Sequence, residues 1–140
     1  MSLILPDYFQ TALSQINTSE IEGKESNPQI DEYLKAVGMP SDDDIPWCAA
    51  FVCWCLGQHE HQHPGVPTAR SLLQLPNKLE YPELGCLVVL KRGKFRWQGH
   101  VGFYLDHYLD HLYLLGGNQN NRVGIGMYSM KKVLGYRVPV

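Results

Sequence analysis

Between Asp7 and Asn17 the apolar Tyr8, Ala12 and Leu13 stand among polar neighbours at helical intervals, which predicts a first helix. A second follows, with Ile30, Tyr33, Leu34 and Val37 at the same spacing, Asn27 as N-cap, Pro28 at the first helical position and Gly38 as stop. Asp42-Asp43-Asp44-Ile45-Pro46 reads as a loop. The stretch Trp47 to Leu56 is apolar on all sides and ends before Gly57, the pattern of a buried helix. Thr68 is placed to cap a shorter helix reaching about Leu73. From Gly85 the period changes. Cys86–Leu90, Val101–Leu105 and Leu112–Leu115 are short apolar runs separated by turn chemistry at Arg92-Gly93-Lys94 and Asp106–Asp110, and Val123–Met127 and Val133–Val138 follow. Helices first and strands afterwards predict a single α+β domain over residues 1–140, with N-terminal helices packed on one face of a C-terminal antiparallel sheet of about five strands.

Composition narrows the choice. With 140 residues, 44% hydrophobic and 19% charged, the chain can bury one core and is not a disordered segment. A net charge of −2, with Lys and Arg scattered along the sequence, gives no extended basic footprint for nucleic acid. No apolar run approaches the roughly 18–20 residues of a membrane span. The start, Met1-Ser2-Leu3-Ile4-Leu5-Pro6-Asp7, lacks the basic and apolar regions of a secretory signal, so the expectation is synthesis in the cytoplasm without a signal peptide.

The four cysteines, Cys48, Cys53, Cys55 and Cys86, do not read as a disulfide framework. On one helix Cys48 and Cys55 lie about 10 Å apart along the axis, and Cys53 and Cys55 point to nearly opposite sides. Neither pair suits a disulfide, and the same separations keep these thiols from jointly closing a zinc tetrahedron. Cys53 and Cys55 read as small core residues.

Cys48 differs by position. A thiol in the first turn of a helix meets unpaired N–H groups and the positive end of the dipole, both of which favour the thiolate, and a neighbouring imidazole would favour it further. His100 is the candidate base. In Gly99-His100-Val101-Gly102-Phe103-Tyr104 strand alternation puts His100, Gly102 and Tyr104 on one face, with room beside the ring at Gly102. A third group is needed to orient that ring. If Asp106–Asp110 is the turn and Leu105 pairs with His111, His100 faces Gly116 and Asn118 stands two residues further on the same face, which nominates Asn118.

Pro46-Trp47-Cys48-Ala49-Ala50-Phe51-Val52, Gly99-His100-Val101-Gly102-Phe103-Tyr104 and Leu115-Gly116-Gly117-Asn118-Gln119, in that order, resemble the cell-wall hydrolases of the CHAP and NlpC type. Ser26-Asn27-Pro28, Ala69-Arg70-Ser71 and the ending Leu134 to Pro139 extend the resemblance to roughly residues 20 to 139. It implies a papain-like fold and a cysteine amidohydrolase or endopeptidase needing neither metal nor cofactor. Cys48 would attack an amide carbonyl, His100 would move the proton, and the Cys48 backbone N–H would hold the oxyanion. The implied substrate is the peptide stem of peptidoglycan, cut at the muramoyl-L-alanine bond or within the stem or cross-bridge. Trp47 and Trp97, which flank the two catalytic residues, would wall the cleft and touch substrate. Such an enzyme, made without a signal peptide, would act in the periplasm or cell wall after injection into a rival cell or release as a phage-type endolysin. An injected toxin would have a cognate immunity protein.

Two other readings compete. His59-Glu60-His61-Gln62-His63, with Asp42–Asp44, is the most metal-like string, but it lacks helical His-Glu-x-x-His spacing and precedes Pro64-Gly65, as a solvated loop does. The other is a non-catalytic wall-binding module on a degenerate hydrolase fold.

Overall fold

The computed structural model describes residues 4–22, 25–41 and 46–140. The loop expected over Asp42–Pro46 falls mostly outside them, at 42–45, as do the first three residues and residues 23–24.

Helix α1 spans Asp7–Ser14 and buries Tyr8, Phe9 and Ala12. It stops short of the expected Asn17, whose φ of 77° leaves helical space and whose N–H bonds to the Val123 carbonyl at 2.9 Å. In α2, Pro28–Lys35, the Asn27 side chain accepts the Gln29 N–H at 2.8 Å, so one otherwise unpaired first-turn donor is satisfied as the cap residue predicts. Gly38, at φ 69°, turns the chain out after that helix.

Helix α3, Cys48–Gly57, is the hub of the fold. Its apolar surface runs all the way round because α1, α2 and the sheet pack on different sides of it. Tyr33 of α2 packs against Phe51 and Trp54 at ring separations of 5.1 and 5.0 Å. The segment after Thr68 is a 3₁₀ helix, Ala69–Gln74, in place of the expected α-helix; Ser71 N–H and Oγ both return to the Thr68 carbonyl.

The sheet has six antiparallel strands in the order β1-β6-β2-β3-β4-β5, with β1 Asn77–Leu79, β2 Leu87–Lys91, β3 Gly99–Tyr108, β4 His111–Gln119, β5 Arg122–Ser129 and β6 Val133–Val138. Strands β2 to β5 form the expected meander, and β6 returns to pair with β2. The extra strand, β1, is three residues at the edge with no apolar alternation to announce it. Val89, Val101, Phe103 and Leu115 face the helices, while Val88, Leu90, Tyr104, Leu112 and Leu114 form a second cluster covered by Tyr128, Val133 and Tyr136. Burial on both faces explains why Leu87–Leu90 is an unbroken apolar run.

The hairpin register departs from expectation. Strand β3 continues to Tyr108, which pairs with His111, so the turn is only Leu109-Asp110, with Leu109 at φ 54°. A bulge between Tyr104 and Asp106 absorbs one residue, and beyond it Phe103 pairs with Leu115. The net displacement from the expected pairing is therefore two residues, which leaves His100 on its predicted face.

Candidate active site

Cys48 opens α3, and the Trp47 side chain makes no capping bond there, so backbone donors of the first turn remain for the thiol. The backbone N–H groups of Cys48, Ala49 and Val101 all favour its charged form, as does the guanidinium of Arg92. The pairing of β3 with β4 runs from Tyr108 only to Phe103, and Val101 lies beyond it, with its backbone N–H among the groups that favour the thiolate. Helix α3 packs on β3 at this end of the sheet. Burial nevertheless outweighs these donors and pushes the Cys48 thiol up, the reverse of the depressed pKa that a helix start alone suggests.

His100 is buried at 3% exposure, and its protonated form is disfavoured first by that burial and also by Arg92, so its pKa falls to about 4. The ring is neutral. Its tautomer follows from Gln119. That amide's Nε2 donates to the carbonyls of Leu114 at 3.1 Å and Gly124 at 2.6 Å, which turns Oε1 toward His100 Nε2 at 2.9 Å. An amide oxygen only accepts, so Nε2 of the imidazole carries the proton and Nδ1 the lone pair. Nδ1 is buried and has no hydrogen-bond partner among the described residues. Tyr128 completes the support: its hydroxyl donates to Gln119 Oε1 at 2.9 Å and lies 3.1 Å from His100 Nε2, with the rings 5.0 Å apart.

Two glycines make room for this cluster. A Cβ at Gly116 would come within 2.9 Å of Gln119 Oε1, and one at Gly126 within 2.9 Å of the Tyr128 ring and hydroxyl.

The nominated third residue, Asn118, is not the group on the ring. It borders both the Cys48 cavity and the His100 cavity, but Gln119 makes the hydrogen bond to the imidazole. Asn118 has a φ of 55° and lies in the β4–β5 irregularity between Gly116 and Gln119, so simple strand alternation does not carry across it. Neither Gln119 nor Tyr128 was singled out by sequence reasoning. The available signal was the Gly-Gly-Asn run itself, which marks a left-handed backbone position.

The two tryptophans separate. Trp47 is fully buried, packed near Tyr33 at 5.8 Å and donating from Nε1 to Glu20 at 2.8 Å, so the expectation that it walls the cleft is corrected: its ring serves the core. Trp97 is 69% exposed, borders the Cys48 cavity and stacks on Phe95 at 5.7 Å with planes 8° apart.

Cys53, Cys55 and Cys86 are buried free thiols, each pushed up by burial. In the histidine string, His61 pairs with Asp7 at 2.6 Å and His59 bonds to Thr11 at 2.6 Å, which ties α1 to the segment after α3. Among the described residues no group of three or more His, Cys, Asp or Glu is arranged to hold a metal ion. Asp42–Asp44, the other part of that reading, lie outside the described residues. Among the described residues no helix is long and apolar enough to cross a membrane.

No family model matches the sequence, and no curated protein matches it. Among solved structures the fold is similar to a crystal structure described as similar to lipoprotein, NLP/P60 family, from Staphylococcus aureus subsp. aureus Mu50. The two superpose with a TM-score of 0.56 at 17% sequence identity, over 94% of this chain and 39% of that one. At that identity the likeness speaks for the fold: this chain has the papain-like α+β architecture of an NLP/P60 protein. It spans well under half the length of that chain.

Proposed function

We propose that this protein is a cysteine amidohydrolase that cleaves an amide bond in the peptide of peptidoglycan, with Cys48 as nucleophile, His100 as general base and acid, and Gln119 as the residue that orients the imidazole. The observation carrying the reading is the forced tautomer of His100, which leaves a buried lone pair on Nδ1 one residue from Val101, whose backbone N–H favours the Cys48 thiolate. The substrate class comes from the likeness to an NLP/P60 lipoprotein, together with the sequence motifs around Cys48 and His100.

The resting pair is a neutral thiol and a neutral imidazole, since burial disfavours charge on both. When an amide carbonyl approaches, His100 Nδ1 takes the thiol proton as sulfur bonds to the carbonyl carbon. Collapse breaks the C–N bond, and Nδ1 returns that proton to the leaving amine. A water then gives a proton to Nδ1 and its oxygen displaces sulfur from the thioester, which frees the acid and restores Cys48. First-turn N–H groups of α3 supply positive potential for the oxyanion at each stage.

Digestion of purified sacculi by the wild type and by Cys48→Ala, with the new termini assigned by mass spectrometry, tests the reading and distinguishes the muramoyl-L-alanine bond from one in the stem or cross-bridge. The absence of new termini from folded wild-type protein would overturn it. Delivery to the periplasm, as an injected effector with an immunity protein or as an endolysin, belongs to the same proposal. Expression of the chain directed to the periplasm of a Gram-negative host should cause lysis when Cys48 is intact and not in Cys48→Ala. Survival of the host with folded wild-type protein in the periplasm would sink the delivery element.

A further inference from the structure

Arg92 occupies a singular place in the cleft. It borders the cavity that contains Cys48 and also the cavity that contains His100, and Asn118 is the other residue common to both. Its guanidinium belongs to an exposed stretch at the start of the β2–β3 connection and forms no ion pair among the described residues. No Asp or Glu among the described residues lines either cavity.

The surroundings amplify this charge. Lys91 and Lys132 line the His100 cavity with Arg92, and Arg70, Lys94 and Arg96 join Lys91 and Lys132 around the adjoining concavity. Half of the 12 Lys and Arg residues of a net negative chain therefore gather at one end of the cleft. Four of the six stand together in the run Lys91-Arg92-Gly93-Lys94-Phe95-Arg96, and folding brings Arg70 and Lys132 to them.

We infer that Arg92 is a specificity-determining residue that receives a free carboxylate carried by the substrate close to the scissile amide. The inference deepens the peptide-amidase reading and rests on it. A guanidinium fork matches a carboxylate with two parallel hydrogen bonds. Because Arg92 borders the thiol cavity itself, one substrate molecule can reach both Cys48 with its carbonyl and Arg92 with its carboxylate.

The arrangement also links recognition to rate. An unneutralised Arg92 disfavours the imidazolium that His100 becomes during attack. A substrate carboxylate docked on Arg92 offsets that repulsion, so the proton transfer is favoured when the correct ligand is in place. Peptides whose carboxylate is capped as an amide lose both effects.

The test needs no hydrolysis. Iodoacetate and iodoacetamide alkylate the Cys48 sulfur by the same displacement: an S–C bond forms, the C–I bond breaks with loss of iodide, and the thiol proton leaves through His100 to solvent. They differ in presenting a carboxylate or a carboxamide. The ratio of their second-order rate constants cancels any change in thiolate fraction, because both reagents attack the same thiolate. With labelling of Cys48 confirmed by peptide mass and absent in Cys48→Ala, that ratio should fall at least about tenfold in Arg92→Gln and be largely kept in Arg92→Lys. Lys94→Gln, which alters the adjoining concavity, should change it less than about twofold. An unchanged ratio in Arg92→Gln, or an equal fall in Lys94→Gln, overturns the assignment. The sacculus digest is a separate readout: if it yields no new termini while the alkylation ratio behaves as stated, the peptidoglycan reading fails and the carboxylate site stands. In sacculi that are cut, prior amidation of the carboxylates with carbodiimide and methylamine should slow wild type at least about tenfold and leave Arg92→Gln little changed further.

Discussion

Gln119 Oε1 lies 2.9 Å from His100 Nε2, and because the same amide's nitrogen is committed to two backbone carbonyls, the imidazole has only one tautomer that satisfies the contact. A single side chain on the neighbouring strand β4 thereby decides which nitrogen of His100 is free. Its pair of carbonyl bonds also prevents the amide from flipping, which would present a donor to a donor.

Gln119→Ala removes the acceptor and lets the ring change tautomer, so turnover should fall by about a hundredfold or more while Cys48 stays alkylatable. Asn118→Ala leaves the His100–Gln119 bond in place and should cost clearly less. Steady-state kinetics on both variants with the same peptidoglycan fragment decides between the two residues; a larger loss in the Asn118 variant would make Asn118 the orienting group.

Cys48→Ala should keep the fold and lower hydrolysis at least about a thousandfold, since it removes the covalent route. Cys53→Ala and Cys55→Ala instead open small voids in a helix buried on every side, and should reduce stability by about 1 kcal/mol or more with little change in turnover per folded molecule. Denaturation midpoints and active-site titration separate the two kinds of loss.

Folding should weaken in acid through His100. Its pKa is about 4 in the folded chain against about 6.5 when unfolded, so between those values the unfolded chain binds more protons. The stabilisation is fully present above about pH 6.5 and is lost as the pH falls toward 4, by about 3 kcal/mol in all. Urea unfolding at pH 7 and pH 4.5 should therefore show a steeper acid loss for wild type than for His100→Gln. Equal losses would mean that His100 is not buried as a neutral ring.

Gly117→Ala tests the seat of β4 on α3. A Cβ there would come within 2.6 Å of Phe51 Cβ and 2.9 Å of the Trp47 ring, and the neighbours are a helix side chain near the backbone and a buried aromatic. The strand must move outward, at about 1–3 kcal/mol. Thermal unfolding should show a lower midpoint, and activity should fall as well, because the displaced strand carries Gln119.

Local chemistry was readable where it depends on neighbours in the chain. Asn27-Pro28 capped α2, Trp47 to Gly57 announced a helix buried all round, and the apolar runs after Gly85 marked five of the six strands. Cys48 at a helix start and His100 at a strand start follow from the same rules, since a helix end leaves free donors and a strand alternates its faces.

What the chain order could not determine was who meets whom across the sheet. A bulge beside Leu105 and a left-handed residue at Asn118 each break the two-residue period, and each depends on packing between strands that are distant in sequence. Pairing across β3, β4 and β5 chose Gln119 and Tyr128 as the partners of His100. Packing of α2 and β4 on α3 drew Trp47 into the core, and the sheet end gathered Arg70, Lys91, Arg92 and Lys132 around the cleft. Sequence alone determined most of the elements and placed Cys48 at a helix start and His100 at a strand start, because those rest on local periodicity. The tertiary structure decided the tautomer, the depth of burial and the charge of the cleft, because these are sums over neighbours that only folding brings together.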